Sequence, residues 1–125
     1  MHRLFIIAGS LLSFVAVALG AFAAHLLKPK LPENLFNIFE VGVRYHFYHS
    51  LALFAVAWCI VQFPSSSFTI VGWLFISGIV IFSGSLYVMS LTGIQWLGAI
   101  TPIGGVCFLS GWLLLAWKVY QSAQQ

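Results

Sequence analysis

The most constraining feature of this sequence is the stretch from Tyr45 to Trp117, which contains no Asp, Glu, Lys or Arg. A soluble domain usually has about 25% charged residues, whereas this chain of 125 residues has 6% charged and 62% hydrophobic residues. A chain this short cannot bury so much apolar surface away from water. The composition therefore predicts an integral membrane protein with a single membrane domain, residues 1–125.

The grouping of the apolar residues into continuous runs predicts helices. Backbone polar groups in hydrocarbon must be paired internally, so only helices or closed barrels cross a bilayer, and barrel strands would alternate apolar and polar residues. We predict an all-α membrane protein, an antiparallel four-transmembrane-helix bundle with both termini on one side. The predicted spans are approximately residues 4–27, 45–63, 68–91 and 95–117. Cleavage of the first segment as a signal peptide, at GAFAAH, is the less favoured alternative.

The second span is predicted to begin at Tyr45, just after Arg44. An arginine at the centre of a span costs about 2.5 to 3.5 kcal/mol, whereas each Leu, Ile, Phe or Val returns only about 0.3 to 0.6 kcal/mol. Arg44 is therefore expected at the membrane boundary. The residues before it, from Pro32 or Glu33, are expected to form an interfacial lead-in to helix 2.

Polar side chains are predicted to gather toward one membrane face, side B, which lies opposite the chain ends. Glu40 and Arg44 have the spacing of an intrahelical ion pair. His49 is expected either to bond a neighbouring helix as a neutral imidazole or to serve a ligand or proton path. The basic residues are divided almost evenly between the two faces, so they do not indicate which face is cytoplasmic. The candidate binding residues are His25, Glu40, Arg44, Tyr45, His49, Tyr87 and Thr101.

Small residues at helical spacing predict close helix contacts. Pro102 removes a backbone hydrogen bond, so a kink or a break is expected in the fourth helix. The alternative that a broken helix lines a transport site stays open beside the packing role. The predicted packing residues are Gly20, Gly78, Gly84, Gly98, Pro102, Gly104, Gly105 and Gly111.

Several chemistries are not indicated by the residues. The net charge of +3 comes from scattered groups that form no basic stripe, so the predicted partner is the lipid bilayer and not nucleic acid. No nucleophile has an evident base and orienting carboxylate, so no enzymatic activity is predicted. No cofactor or metal is predicted, and a metal or haem site at His25, His46 and His49 is the weaker alternative. Cys59 and Cys107 are predicted to be buried free thiols.

Four segments carry a resemblance to a known family: GAFAAH from Gly20, FEVGVRYHFYHSLAL from Phe39, FSGSLY from Phe82 and LGAITPIGGVCFLSGW from Leu97. Together they resemble the small YgdD/transmembrane protein 256 family, also called domain of unknown function 423. The resemblance implies a four-span protein of the bacterial plasma (inner) membrane and supplies no reaction. The family pattern often has Gln where this chain has His46, which leaves His25 and His49 as the histidines that match it.

Two functions are carried forward. The first is a structural or accessory protein that acts through helix contacts, as a homo-oligomer or with a membrane-protein partner. The second is a binder or conductor of a small solute, lipid headgroup or proton at a polar site around Glu40, Arg44 and His49.

Overall fold

The computed structural model describes residues 1–124, and these form four helical rods with no β-strand among them. The predicted all-α bundle is confirmed. The elements are α1 (His2–Phe22) with a π-helical turn (Ala23–Leu27), α2 (Glu33–Gln62), α3 (Thr69–Gly78) joined by a π-helical turn (Ile79–Ser83) to α4 (Gly84–Thr92), a 3₁₀ turn (Gln95–Ala99) and α5 (Thr101–Ser122).

Three rods are long and apolar enough to cross a bilayer on length and composition alone: His2–Leu27, Thr69–Thr92 and Gln95–Ser122. The exception is α2, the longest helix, at 30 residues. Its polar residues His46, His49 and Ser50 are buried inside the bundle. They lower the hydropathy of α2 without placing these three polar side chains in lipid.

α2 is continuous, as predicted for a lead-in that runs on into the second helix. It begins at Glu33, directly after Pro32, and runs through Glu40 and Arg44 without a break. A proline just before the first turn suits a helix start because its missing N–H would be unpaired there anyway. The predicted lead-in is thus the first part of one continuous helix.

Glycines allow the close antiparallel contact between the third rod (Thr69–Thr92) and α5. A Cβ added at Gly78 or Gly111 would overlap the ring of Phe108 or Phe75, respectively. A Cβ at Gly104 would overlap the backbone nitrogen of Phe82. The other predicted packing glycines have looser surroundings. A Cβ added at Gly20 would lie 3.4 Å from Val43, and one at Gly98 would lie 3.6 Å from Met89. A Cβ at Gly105 would lie 3.9 Å from Phe82, and one at Gly84 would meet nothing within 4 Å.

The expected disruption at Pro102 is a break near the start of the fourth rod. Pro102 lies in the first turn of α5, after the 3₁₀ turn Gln95–Ala99, and Ile100 separates the two elements. The backbone N–H groups of Ile100 and Ile103 donate to Leu97 and Ile100 at 3.0 Å. A proline at this position starts a helix without costing an interior hydrogen bond.

The core of the bundle is aromatic. Phe5, Phe68 and Phe75 are fully buried, and the buried residues around them come from every rod. A second cluster at the side-B end joins Ala23 and Leu27 to Phe39.

Candidate functional site

His49 is buried and joins two helices. Its Nδ1 lies 2.7 Å from the Tyr45 carbonyl oxygen, and Trp112 Nε1 donates to its Nε2 at 3.0 Å. A carbonyl only accepts and an indole N–H only donates. These partners therefore fix His49 as the neutral tautomer with its proton on Nδ1.

Aromatic rings enclose the His49 imidazole. The Phe108 ring stacks on it with centroids 3.5 Å apart and planes 10° apart, and the Phe75 ring lies at 5.6 Å. With both nitrogens bonded and only 4% of the residue exposed, His49 has no free atom for a metal or a transferred proton. Its role in this arrangement is to connect α2 with α5.

A second polar group connects α2 with α4. His46 Nδ1 lies 2.8 Å from the Tyr87 hydroxyl, and Ser83 Oγ donates to the Gly42 carbonyl at 2.7 Å. Tyr87 therefore contacts His46, the histidine that departs from the family pattern, and not His49. His46 and Ser83 are 3% and 0% exposed, respectively.

Thr101, the most distant candidate in the sequence, takes part in a separate contact. Its hydroxyl lies 2.6 Å from Ser85 Oγ, which links the third rod to α5. Interhelical hydrogen bonds in membranes contribute on average about 0.6 kcal/mol, up to about 1.7. Thr101→Val is therefore expected to lower the free energy of unfolding by about 1 kcal/mol. Thr92→Val is expected to change it less, because the Thr92 hydroxyl bonds no other rod: it donates to the Val88 carbonyl and accepts from the Ile94 N–H at 3.4 Å. Thermal unfolding in detergent micelles checks this; equal losses would contradict it.

The remaining candidates do not join these groups. His25 lies in the π-helical turn with its side chain exposed, so the structure does not bring His25 to the buried His49. Among residues 1–124, Glu40 and Arg44 form no ion pair despite their spacing. Glu40 is half-buried, and Arg44 and Tyr45 are exposed.

The position of Arg44 along the bundle follows from its neighbour Val43. Val43 packs against Gly20 of α1, and Gly20 precedes the end of that rod at Leu27 by roughly 10 Å at 1.5 Å per residue. Arg44 thus projects from an exposed side of α2, about 10 Å along the bundle from the end of the first rod. His49 lies further from that end, since it stacks on Phe108 midway along the fourth rod.

Two apolar grooves flank the exposed side of α2 that carries Arg44. The α1–α2 groove has a volume of about 410 Å³ and the α2–α5 groove about 490 Å³. Tyr48 lines both grooves, and it is 52% exposed. The α1–α2 groove is lined by Ala16, Val17, Gly20, Ala21, Val43, Arg44, Phe47 and Tyr48. The α2–α5 groove is lined by Tyr45, Tyr48, His49, Phe82, Gly105, Phe108, Leu109 and Trp112.

No group of three or more His, Cys, Asp or Glu side chains within residues 1–124 is arranged to hold a metal ion. Cys59 and Cys107 are both free thiols. Cys59 is buried and Cys107 is half-buried.

Sequence reasoning missed the contribution of the aromatic partners. Tryptophans in membrane proteins often lie at the interface with water, but the Trp112 N–H is used inside the bundle by His49. Its spacing could have revealed this, because Phe108 and Trp112 are four residues apart and therefore share one face of α5.

Comparison with known proteins gives one family and several relatives. The model of a family described as "Protein of unknown function (DUF423)" matches residues 19–105. The UPF0382 membrane protein YwdK of Bacillus subtilis is 47% identical over 114 residues, covering 90% of this chain and 93% of that protein. A UPF0382 membrane protein of Staphylococcus saprophyticus is 48% identical over 113 residues, covering 90% and 93%. One of Staphylococcus aureus is 43% identical over 121 residues, covering 97% and 98%. No solved structure matches.

Proposed function

We propose that this chain, which belongs to the DUF423 family of membrane proteins of unknown function, binds one anionic phospholipid. The lipid lies across the exposed side of α2. The headgroup pairs with Arg44, and the two acyl chains occupy the two grooves on either side. This refines the lipid-headgroup alternative from the sequence and assigns His49 to the wall of the site. We place the protein in the bacterial plasma membrane, the membrane that the family resemblance implies.

The unpaired Arg44 is the observation that carries this proposal. An arginine within the apolar part of a bilayer is costly, and such residues usually pair or extend toward the headgroups. Arg44 is exposed and has no ion pair within residues 1–124. A guanidinium binds a phosphate oxygen pair in a bidentate geometry. An anionic headgroup drawn to this position would therefore satisfy a charge that the chain itself leaves unpaired.

The shape and chemistry of the grooves support the acyl chains as the second half of the ligand. Both volumes, about 410 and 490 Å³, fall in the range of about 300 to 1,000 Å³ that is typical of ligand sites. Their walls are aliphatic and aromatic, and the hydroxyls of Tyr45 and Tyr48 have no hydrogen-bond partner among residues 1–124. Tyr48 lines both grooves, so the grooves adjoin each other. A phospholipid with its headgroup at Arg44 can therefore place one acyl chain in each groove.

Charge variants on the two neighbouring ionisable residues test the headgroup contact. Arg44→Gln is expected to lower the affinity for an anionic phospholipid such as phosphatidylglycerol by about tenfold, since a charge-assisted hydrogen bond is worth about 1.5 to 3 kcal/mol. Glu40→Gln is expected to raise this affinity, because Glu40 lies one turn from Arg44 and repels the phosphate. Affinities are measured by lipid titration and native mass spectrometry. A loss of phosphatidylcholine binding equal to that of phosphatidylglycerol in Arg44→Gln would contradict the assignment of the headgroup.

Filling one groove tests the acyl-chain position. Gly105 lines the α2–α5 groove, and a Cβ there would meet only Phe82, at 3.9 Å. Gly105→Leu is expected to abolish retention of the phospholipid while the protein stays folded. Gly84→Leu is the matched control because a Cβ at Gly84 meets nothing within 4 Å and Gly84 lines neither groove. Equal retention in the two variants would contradict the proposal.

An accessory role through helix contacts is the second candidate. It is favoured by the exposed outer face of α5, where Leu109 and Leu113 are 67% and 74% exposed. The glycine contacts that first suggested it are, however, made largely within this chain, at Gly78, Gly104 and Gly111. Disulfide crosslinking of Leu113→Cys, in a variant with both native cysteines replaced by serine, tests for a second copy. A crosslinked dimer in native membranes supports this role, and monomer alone opposes contact between copies through this face.

A further inference from the structure

A further cavity lies where the first rod ends and α2 begins. Its volume is about 410 Å³, and it shares no lining residue with either of the two grooves beside Arg44. The first rod is long and apolar enough to span a membrane and ends at Leu27, so this cavity lies at the side-B end of the bundle, where phospholipid headgroups are found. It is lined by Lys28, Leu31, Glu33, Phe36 and Asn37.

The apolar part of this cavity is held in place by the fold. Leu31 and Phe36 are half-buried and pack against the second apolar cluster of the bundle. The Leu31 N–H donates to the Leu27 carbonyl at 2.8 Å, and the Phe36 N–H donates to the Pro32 carbonyl at 3.0 Å. The proline ring fixes the backbone angle φ between these two bonds. The segment that carries the cavity is therefore ordered from the end of the first rod to the start of α2.

The polar part of the cavity consists of one cation, one anion and one amide: Lys28, Glu33 and Asn37, all exposed. Lys28 and Glu33 form no ion pair with each other or with another side chain in the described part of the chain, residues 1–124. Glu33 would repel an anion bound beside Lys28, and Lys28 would repel a simple cation bound beside Glu33. The two charges together therefore favour a ligand that carries one charge of each sign.

We propose that this cavity binds a phosphoethanolamine group, with the phosphate at Lys28 and the ammonium at Glu33. Lysine is a common phosphate ligand, and two carbons join the phosphate of this group to its ammonium, so one small ligand matches both charges. Asn37 lies one turn after Glu33 on the same face of α2, and its amide can donate to the phosphate or accept from the ammonium. Leu31 and Phe36 contact the carbon atoms.

This site does not depend on the proposed anionic phospholipid. Glu33 and Arg44 lie on the same helix, separated by roughly 16 Å at 1.5 Å per residue. The two sites also differ in the charge that they select, because Arg44 favours a net negative headgroup and the Lys28–Glu33 pair favours a neutral zwitterion. The phosphoethanolamine group occurs as the headgroup of phosphatidylethanolamine or as a free molecule in water.

Competition between two lipids, measured by native mass spectrometry, tests this proposal. The full chain in detergent micelles is incubated with equal amounts of phosphatidylethanolamine and phosphatidylcholine that have the same acyl chains. Phosphatidylcholine carries the same phosphate, but its trimethylammonium has no N–H to donate to Glu33. The protein is expected to retain phosphatidylethanolamine about fivefold more than phosphatidylcholine, which corresponds to about 1 kcal/mol, the upper end for an exposed charge pair.

Single variants assign this preference to the cavity. Glu33→Gln is expected to bring the ratio of the two lipids to about one, and Lys28→Gln to lower retention of phosphatidylethanolamine several-fold. Lys30→Gln is the matched control, because Lys30 is an exposed lysine of the same loop that does not line the cavity. Arg44→Gln is expected to leave the ratio unchanged, so failure of this site and failure of the anionic lipid site are distinguishable.

Soluble phosphoethanolamine, added in millimolar excess, distinguishes the two sources of the group. If it displaces phosphatidylethanolamine, the cavity accepts the free molecule; if the lipid stays bound, the lipid headgroup is the ligand. Equal retention of the two lipids by the unmodified protein, with no binding of phosphoethanolamine, would overturn the proposal. Equal losses of phosphatidylethanolamine in Lys28→Gln and Lys30→Gln would also overturn it, since the effect would then come from the general surface charge.

Discussion

Gly104→Ala is expected to lower the free energy of unfolding by about 3 kcal/mol, at the upper end of the usual cost of overpacking a core. A methyl group at this position would overlap the backbone nitrogen of Phe82. A backbone atom in the middle of the third rod cannot move aside as the end of a flexible side chain can. The rods must therefore separate, and thermal unfolding in detergent micelles measures the result.

Gly105→Ala is the matched control for this prediction. It makes the same chemical change one residue further along α5, but its Cβ would lie 3.9 Å from Phe82, an ordinary contact. Alanine is favoured over glycine in a helix by about 1 kcal/mol, so Gly105→Ala is expected to be neutral or mildly stabilising. Similar losses for the two variants would show that the close approach of α5 to Phe82 does not exist in the protein.

His49→Ala is expected to destabilise the bundle by about 4 kcal/mol, as truncating a buried ring to alanine does elsewhere. The substitution removes the ring between Phe108 and Phe75. It also leaves the Trp112 N–H without its acceptor, and an unpaired buried donor costs about 1 to 3 kcal/mol. Equilibrium unfolding monitored by tryptophan fluorescence measures both effects.

Two further variants separate the contributions to this loss. In a Trp112→Phe background, His49→Ala is expected to cost less, because no N–H group is then left unpaired. His25→Ala is expected to change stability by no more than about 0.5 kcal/mol, since that side chain is exposed and makes no described contact. If His25→Ala and His49→Ala gave similar losses, the central role of His49 would be wrong.

The fold could be predicted from the sequence because its strongest signals can be read from each segment separately. Long apolar runs, the near absence of charge and the turn at Gly93, where φ is +73°, need no knowledge of tertiary contacts. The burial of the polar residues of α2 was not accessible in the same way. The insertion cost of Arg44 predicted where the span starts, at Tyr45, but gave no indication that His46, His49 and Ser50 are all buried within the bundle.

The candidate site was predicted only in part, for a related reason. Depth along each helix placed polar residues near one another, but it did not give their rotation about the helix axis. His25 therefore points outward, and Tyr87 meets His46 in place of His49. The two π-helical turns, Ala23–Leu27 and Ile79–Ser83, shift that rotation by adding a residue to a turn, and neither was predicted.

The central claim is that a phospholipid lies across α2 with one acyl chain in each groove. Photocrosslinking in native-like bilayers tests this claim most directly. The probe is phosphatidylglycerol with a diazirine on each acyl chain, and adducts are located by mass spectrometry. Adducts are expected at Ala21 and Leu109, one in each groove, and they should decline in Arg44→Gln. Labelling spread evenly over the lipid-facing surface, with Phe14 and Leu113 modified as strongly and no response to Arg44→Gln, would contradict the account.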